Sequence, residues 1–143
     1  MKKLLFIFLI FGVFSQNTKA DTIDFWHVYY NKTKIKEFNQ FGTNEIIIKL
    51  NSIKAGDSLT VRYFRDTPCP DCPSLLTVED EQHRVFVSSK GMGTFNPVSF
   101  SLDALVELKK QGYNQPFEVF YTDGVVKGRS EKKLIFRVVI ELK

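Results

Sequence analysis

The two cysteines of this chain stand as Cys69-Pro70-Asp71-Cys72, and a pair spaced by two residues supports three kinds of chemistry. It can cycle between dithiol and disulfide, help to hold a metal ion, or staple a loop. The surroundings favour the staple. Pro68, Pro70 and Pro73 already restrict the backbone between Thr67 and Ser74. A bridge that closes so short a ring contributes only about 2 kcal/mol through chain entropy, so its expected role is to shape this loop rather than to hold the domain together. A preorganised loop loses less entropy on binding. Cys69, Pro70, Asp71 and Cys72 are therefore the first candidate binding residues, with Cys69 and Cys72 as the expected disulfide.

Over these four residues the motif resembles the active-site sequence of glutaredoxins and bacterial disulfide oxidases. The resemblance implies a nucleophilic Cys69 and a resolving Cys72, a helix N-terminus that lowers the thiol pKa, and a cis-proline opposite, for which Pro97 is the candidate. Upstream of Cys69 the residues read instead as hairpins. Downstream, a helix from Ser74 would put Glu79, Asp80 and Glu81 at its negative pole, so Leu75 to Glu79 is read as a strand. A periplasmic thiol–disulfide protein stands as the alternative function. Copper or zinc binding is the other alternative, with His27, His83 and Met92 as further donors. Their spacing matches no ligand pattern, and no metal ligand or cofactor is assigned.

Paired catalytic carboxylates, a nucleophile elbow and a phosphate loop have no recognisable form here, so no catalytic residue is assigned. Glu79 and Asp80 read as a solvated corner, and Gly91-Met92-Gly93 as a short corner without the helix a phosphate cradle needs. Aromatics are the remaining signal. Tyr63 and Tyr121 share faces with aliphatic residues and are assigned to the core. Trp26 and Tyr30, opposite Phe25 and Tyr29, make both faces of their strand apolar, so that strand is either central or covered by a partner. Trp26 and Tyr30 join the binding candidates.

These side chains work in a compartment set by the first residues. Met1-Lys2-Lys3, the apolar run Leu4 to Phe14 and a polar stretch ending Thr18-Lys19-Ala20 have the layout of a secretory signal peptide. Residues 1–20 are the expected signal and 21–143 the expected domain, exported to the periplasm or the medium, where a disulfide persists. No transmembrane segment is expected after signal removal. Beyond residue 20 the chain carries 17 Lys and Arg against 16 Asp and Glu. Near balance of this kind excludes a nucleic-acid partner. Asn31-Lys32-Thr33 also fits the N-glycosylation pattern.

The elements that position these residues follow from period. Strands are expected over 23–30, 34–38, 46–50, 59–64, 75–79, 84–88, 98–100, 117–121 and 134–142. Ala55-Gly56-Asp57 is expected to join the third and fourth as hairpin partners. Leu134, Phe136, Val138, Ile140 and Leu142 are expected to share one face. Residues 101–111 read as a helix, capped by Ser101, with Leu102, Leu105, Val106 and Leu108 as its apolar stripe and Gly112 as terminator. Short strands with turn signals between them and one lone helix predict a single two-layer antiparallel β-sandwich of immunoglobulin-like type. The function read from all this is an exported, non-catalytic module that binds a protein or glycan partner.

Overall fold

Alternation of period two builds most of the chain into strands. The structure, a computed structural model, describes residues 24–39, 41–42, 44–124 and 131–142; the expected signal lies outside them. The element order is β1 (Phe25–Tyr30), β2 (Thr33–Asn39), β3 (Glu45–Lys49), β4 (Ser58–Phe64), β5 (Pro73–Glu79), β6 (Val85–Met92), β7 (Val98–Ser101), α1 (Asp103–Lys110), β8 (Phe117–Asp123) and β9 (Lys132–Glu141). These strands form two sheets, ordered β2-β1-β4-β7 and β3-β9-β8-β5-β6. Among the described residues the protein is mostly β, with one short α-helix.

One apolar core joins the inner faces of both sheets. Trp26, Val28, Leu59 and Val61 come from the first, and Leu76, Val78, Val119 and Phe136 from the second. Each such side chain, when fully buried, contributes about 1.5–3 kcal/mol. β1 is central in its sheet, flanked by β2 and β4. The β1–β2 turn is a two-residue hairpin whose Asn31 has φ 52°. Asparagine tolerates that conformation. Its side chain accepts from Ser58 N at 3.0 Å and donates to Asp57 Oδ1 at 3.1 Å, which ties the turn to the start of β4.

Three expectations are corrected. β3 and β4 are not hairpin partners: β3 runs parallel to β9 in one sheet and β4 pairs with β1 and β7 in the other, so the second sheet is mixed rather than antiparallel. The Gly56 turn, φ 84°, carries the chain between sheets; turn residues specify a reversal but not the next partner. On β9, a register shift between Val119 and Phe120 of β8 turns Ile135 inward beside Phe136 and leaves Leu134 exposed, so the expected single face is broken. Finally, α1 begins at Asp103, and Ser101 Oγ accepts from the Asp103 amide at 3.1 Å from just outside the helix.

The C-terminus of α1 matches its expected stop. Gly112, φ 94°, donates to Lys109 O and Tyr113 N donates to Leu108 O, the paired bonds of a left-handed helix end. Leu102 and Leu105 are fully buried, and the helix connects β7 of one sheet to β8 of the other. Among the described residues no helix is long and apolar enough to cross a membrane.

Candidate functional site: a disulfide-braced loop beside a polar cavity

Cys69 and Cys72 form a disulfide, with Cα atoms 5.4 Å apart. They lie in the connection between β4 of one sheet and β5 of the other. Backbone hydrogen bonds fasten this loop to the β6–β7 connection. Thr94 N donates to Cys69 O at 2.9 Å and Gly93 N donates to Cys72 O at 2.8 Å. The Thr94 hydroxyl adds a third tie by accepting from Cys69 N at 2.9 Å. Gly93, φ 84°, is required here, because a Cβ would meet Pro70 O at 2.6 Å. Pro70 and Asp71 are left on the surface at the tip.

The β6–β7 connection also presents an aromatic. Phe95 has φ 70°, a conformation that costs a non-glycine residue on the order of 1 kcal/mol or more, and it is 40% exposed. Its amide donates to Tyr63 O at 3.1 Å, which holds it in place. The Phe95 ring lies 5.4 Å from Phe64, and Phe64 stacks on Phe25 at 4.8 Å. His27 packs on Phe64 at 4.4 Å. Because Trp26 and Val28 point into the core, Phe25 and His27 stand on the outer face of the same strand. An aromatic row therefore runs from the outer face of the first sheet to the disulfide loop.

Around the edge of that end lies a cavity of about 190 Å³. Trp26, Tyr63 and Tyr121 line it together with Asp24, Arg65 and Asp123. Tyr63 donates to Asp24 Oδ2 at 2.7 Å, and Lys133 reaches the same oxygen at 3.0 Å. Burial, then the bond to Asp24, pushes the Tyr63 phenol up, so it stays protonated and donating. Arg65 pairs with Asp123. Gly124 closes the wall against Pro73, where a Cβ would meet Pro73 O at 2.3 Å, and this joins the cavity to the disulfide loop. Trp26 Nε1 is buried with no hydrogen-bond partner among the described residues.

The expected site residues thus divide. Cys69, Pro70, Asp71 and Cys72 lie together in one loop. Trp26, 1% exposed, is a core residue that lines the cavity rather than a surface aromatic. Tyr30 pairs with Leu59 at the other end of β1, five residues from Phe25 and roughly 17 Å from this end at strand rise. Its hydroxyl donates to Asp57 Oδ2 at 2.5 Å, and burial followed by that bond raises its pKa to about 12. Tyr30 braces the opposite end of the sheets. Gly93, Thr94, Phe95 and Phe64 are the site residues that period and spacing did not single out. Gly91-Met92-Gly93 marked the place, but Gly91 and Met92 belong to β6.

The alternatives meet a different setting. After Cys72 comes strand β5, where the oxidoreductase resemblance implies a helix, and every peptide bond among the described residues is trans, including the one before Pro97. His27 pairs with Glu37 at 2.8 Å and His83 lies 3.4 Å from Glu79 at the far end of β5. Among the described residues no three His, Cys, Asp or Glu side chains gather as a ligand set. Glu79 and Asp80 are both buried, not a solvated corner as their sequence suggested. Glu79 accepts from Thr77 at 2.5 Å and Lys132 at 2.6 Å; Asp80 accepts from Gln82 N at 3.0 Å and Arg84 N at 2.8 Å, capping its own turn.

Two sheets around one core, with a disulfide-braced loop and a polar cavity at one end, describe the class of molecule. No protein-family model matches the chain, and no curated protein matches it in sequence.

Proposed function

We propose that this chain is an exported, non-catalytic β-sandwich of immunoglobulin-like type that binds a protein partner through the end carrying the disulfide loop. The observation that carries this reading is Phe95, an exposed aromatic in a costly left-handed conformation beside a loop already stiffened by a disulfide and prolines. Met92, three residues before it at the end of β6, is 60% exposed, and Phe64 and Phe25 extend the apolar surface. Rigid aromatic anchors next to an ordered loop suit protein recognition, where a few buried rings supply most of the affinity.

A photocrosslinking residue at Asp71, in the protein expressed in its own envelope, tests this. The expected result is one discrete adduct that vanishes when Phe95→Asn is added, while the melting temperature holds, since asparagine accepts a left-handed backbone. An adduct that survives Phe95→Asn, or none from Asp71 while a crosslinker on α1 captures a protein, overturns it.

A glycan is the second reading, favoured by a cavity that Trp26 lines together with Asp24 and Asp123, and by a buried Trp26 Nε1 that has no acceptor among the described residues. A buried donor without an acceptor has a strong drive to gain one. Quenching of Trp26 fluorescence by a panel of mono- and disaccharides, abolished by Asp123→Asn, is the expected signature of that reading.

A further inference from the structure

The free edge of β3 carries a different kind of recognition. Its five residues read Glu45-Ile46-Ile47-Ile48-Lys49, and β9 is its one strand neighbour among the described residues. Ile46 and Ile48 point into the core, whereas Glu45, Ile47 and Lys49 stand on the outer face, with Ile47 60% exposed. Beside this edge runs a groove of about 560 Å³, bounded by Tyr30 and Ile35 on one side and by Ile46, Ile47 and Ile48 on the other. An edge with no partner strand among the described residues and an exposed isoleucine at its centre is a template for a further strand.

The remaining edges are blunted. β2 carries Lys34, Lys36 and Glu37 and a register shift beside Tyr29. β7 is four residues long and begins directly after Pro97. β6 carries Lys90 and a register shift opposite Val78 and Glu79, and its end abuts Val98, which a Cβ on Gly91 would meet at 2.4 Å. β3 has no proline, glycine or bulge.

We infer that β3 pairs antiparallel with β3 of a second copy of this chain, about a two-fold axis at Ile47. The charge order of the strand selects this occupant. Antiparallel pairing centred on Ile47 sets Glu45 opposite Lys49 of the second copy and Lys49 opposite its Glu45, both on the outer face. Ile47 meets its own counterpart between these pairs. Such self-complementarity is what a two-fold interface needs, since each patch must satisfy itself. Parallel pairing in the same register would set Glu45 against Glu45 and Lys49 against Lys49, and directly opposed like charges are unfavourable. The result is one sheet continuous across two copies. With five residues a side the contact is small, so the dimer is weak and concentration-dependent.

Sedimentation velocity over a concentration series, on the exported protein, tests this. Glu45→Lys alone and Lys49→Glu alone each convert both cross-strand pairs from attraction to repulsion and are expected to weaken the dimer on the order of tenfold. The double variant Glu45→Lys/Lys49→Glu restores complementarity in reverse and is expected to return the dissociation constant to near the parent value. Ile47→Lys sets two lysines against each other and leaves a monomer, and circular dichroism confirms that each variant stays folded, as these side chains point to solvent. A parent protein that is monomeric at every concentration overturns the inference. So does a dimer indifferent to all of these variants, or one that the double reversal fails to rescue.

Discussion

Thr94 Oγ1 accepts the Cys69 amide hydrogen at 2.9 Å while the Thr94 amide donates to the Cys69 carbonyl at 2.9 Å, so one residue satisfies both backbone groups of the first cysteine. The disulfide loop is therefore held by this contact as well as by its own sulfur bridge. Thr94→Val keeps the shape of the side chain and removes the acceptor. We expect a loss of about 1–2 kcal/mol in urea unfolding of the oxidised protein, because the Cys69 N–H is left without a partner in a half-buried position. An unchanged midpoint would show that the hydroxyl contributes nothing there.

The bridge itself should matter less to global stability than to local order. With Cys69→Ser and Cys72→Ser together, the unfolding free energy is expected to fall by about 2 kcal/mol or less, since the ring it closes is so short. Amide exchange should speed up at Cys69, Gly93 and Thr94 while β8 and β9 stay protected. Global unfolding of the double variant at room temperature would contradict this.

Two glycines with positive φ offer a controlled comparison. Gly112 has open space where a Cβ would stand, so Gly112→Ala should cost only its backbone strain, about 1 kcal/mol. Gly93→Ala brings the same strain plus a clash with Pro70 O and Asn96 Nδ2 at 2.6 and 2.7 Å, and should cost clearly more. Denaturant midpoints of the two variants, measured side by side, give the order.

Buried Glu79 predicts an acid-side pH dependence. Burial alone would raise its pKa, but hydrogen bonds from Lys132 and Thr77 outweigh it and hold the carboxyl below the usual range. Asp80 behaves alike: burial raises, and the Arg84 and Gln82 amides with the Arg84 charge lower it further. Since both folded values lie below the unfolded ones, the stabilisation is complete above the unfolded carboxylate range and is lost as pH falls through the folded values. Glu79→Gln should flatten part of that acid decline. Lys132→Met should destabilise the protein by roughly 1–3 kcal/mol at neutral pH, and by less once Glu79 is protonated, because the buried carboxylate loses its cation. Urea titrations at a series of pH values below neutral measure both effects.

How much of this was legible in residue order can be judged element by element. The strands, the helix and its Gly112 stop come from local period and local backbone preference, and each was placed within a few residues of its observed span. The disulfide and the Pro70–Asp71 tip were legible because cysteine spacing and proline are local signals. Phe95 was not, since its exposure and left-handed backbone depend on the Tyr63 carbonyl thirty-two positions away in the chain.

Residue order by itself therefore determined which segments are strands, which faces are apolar where the pairing register is unbroken, and where the chain is stapled, because each is decided by neighbours within a few positions. Tertiary structure alone decided that β3 leaves β4 to run parallel to β9, that Trp26 is buried at a cavity while Tyr30 braces the opposite end, and that Glu79 and Asp80 are buried. The physical reason is that pairing and burial are set by competition among all strands for one core, and a turn or an alternating run does not name its winner.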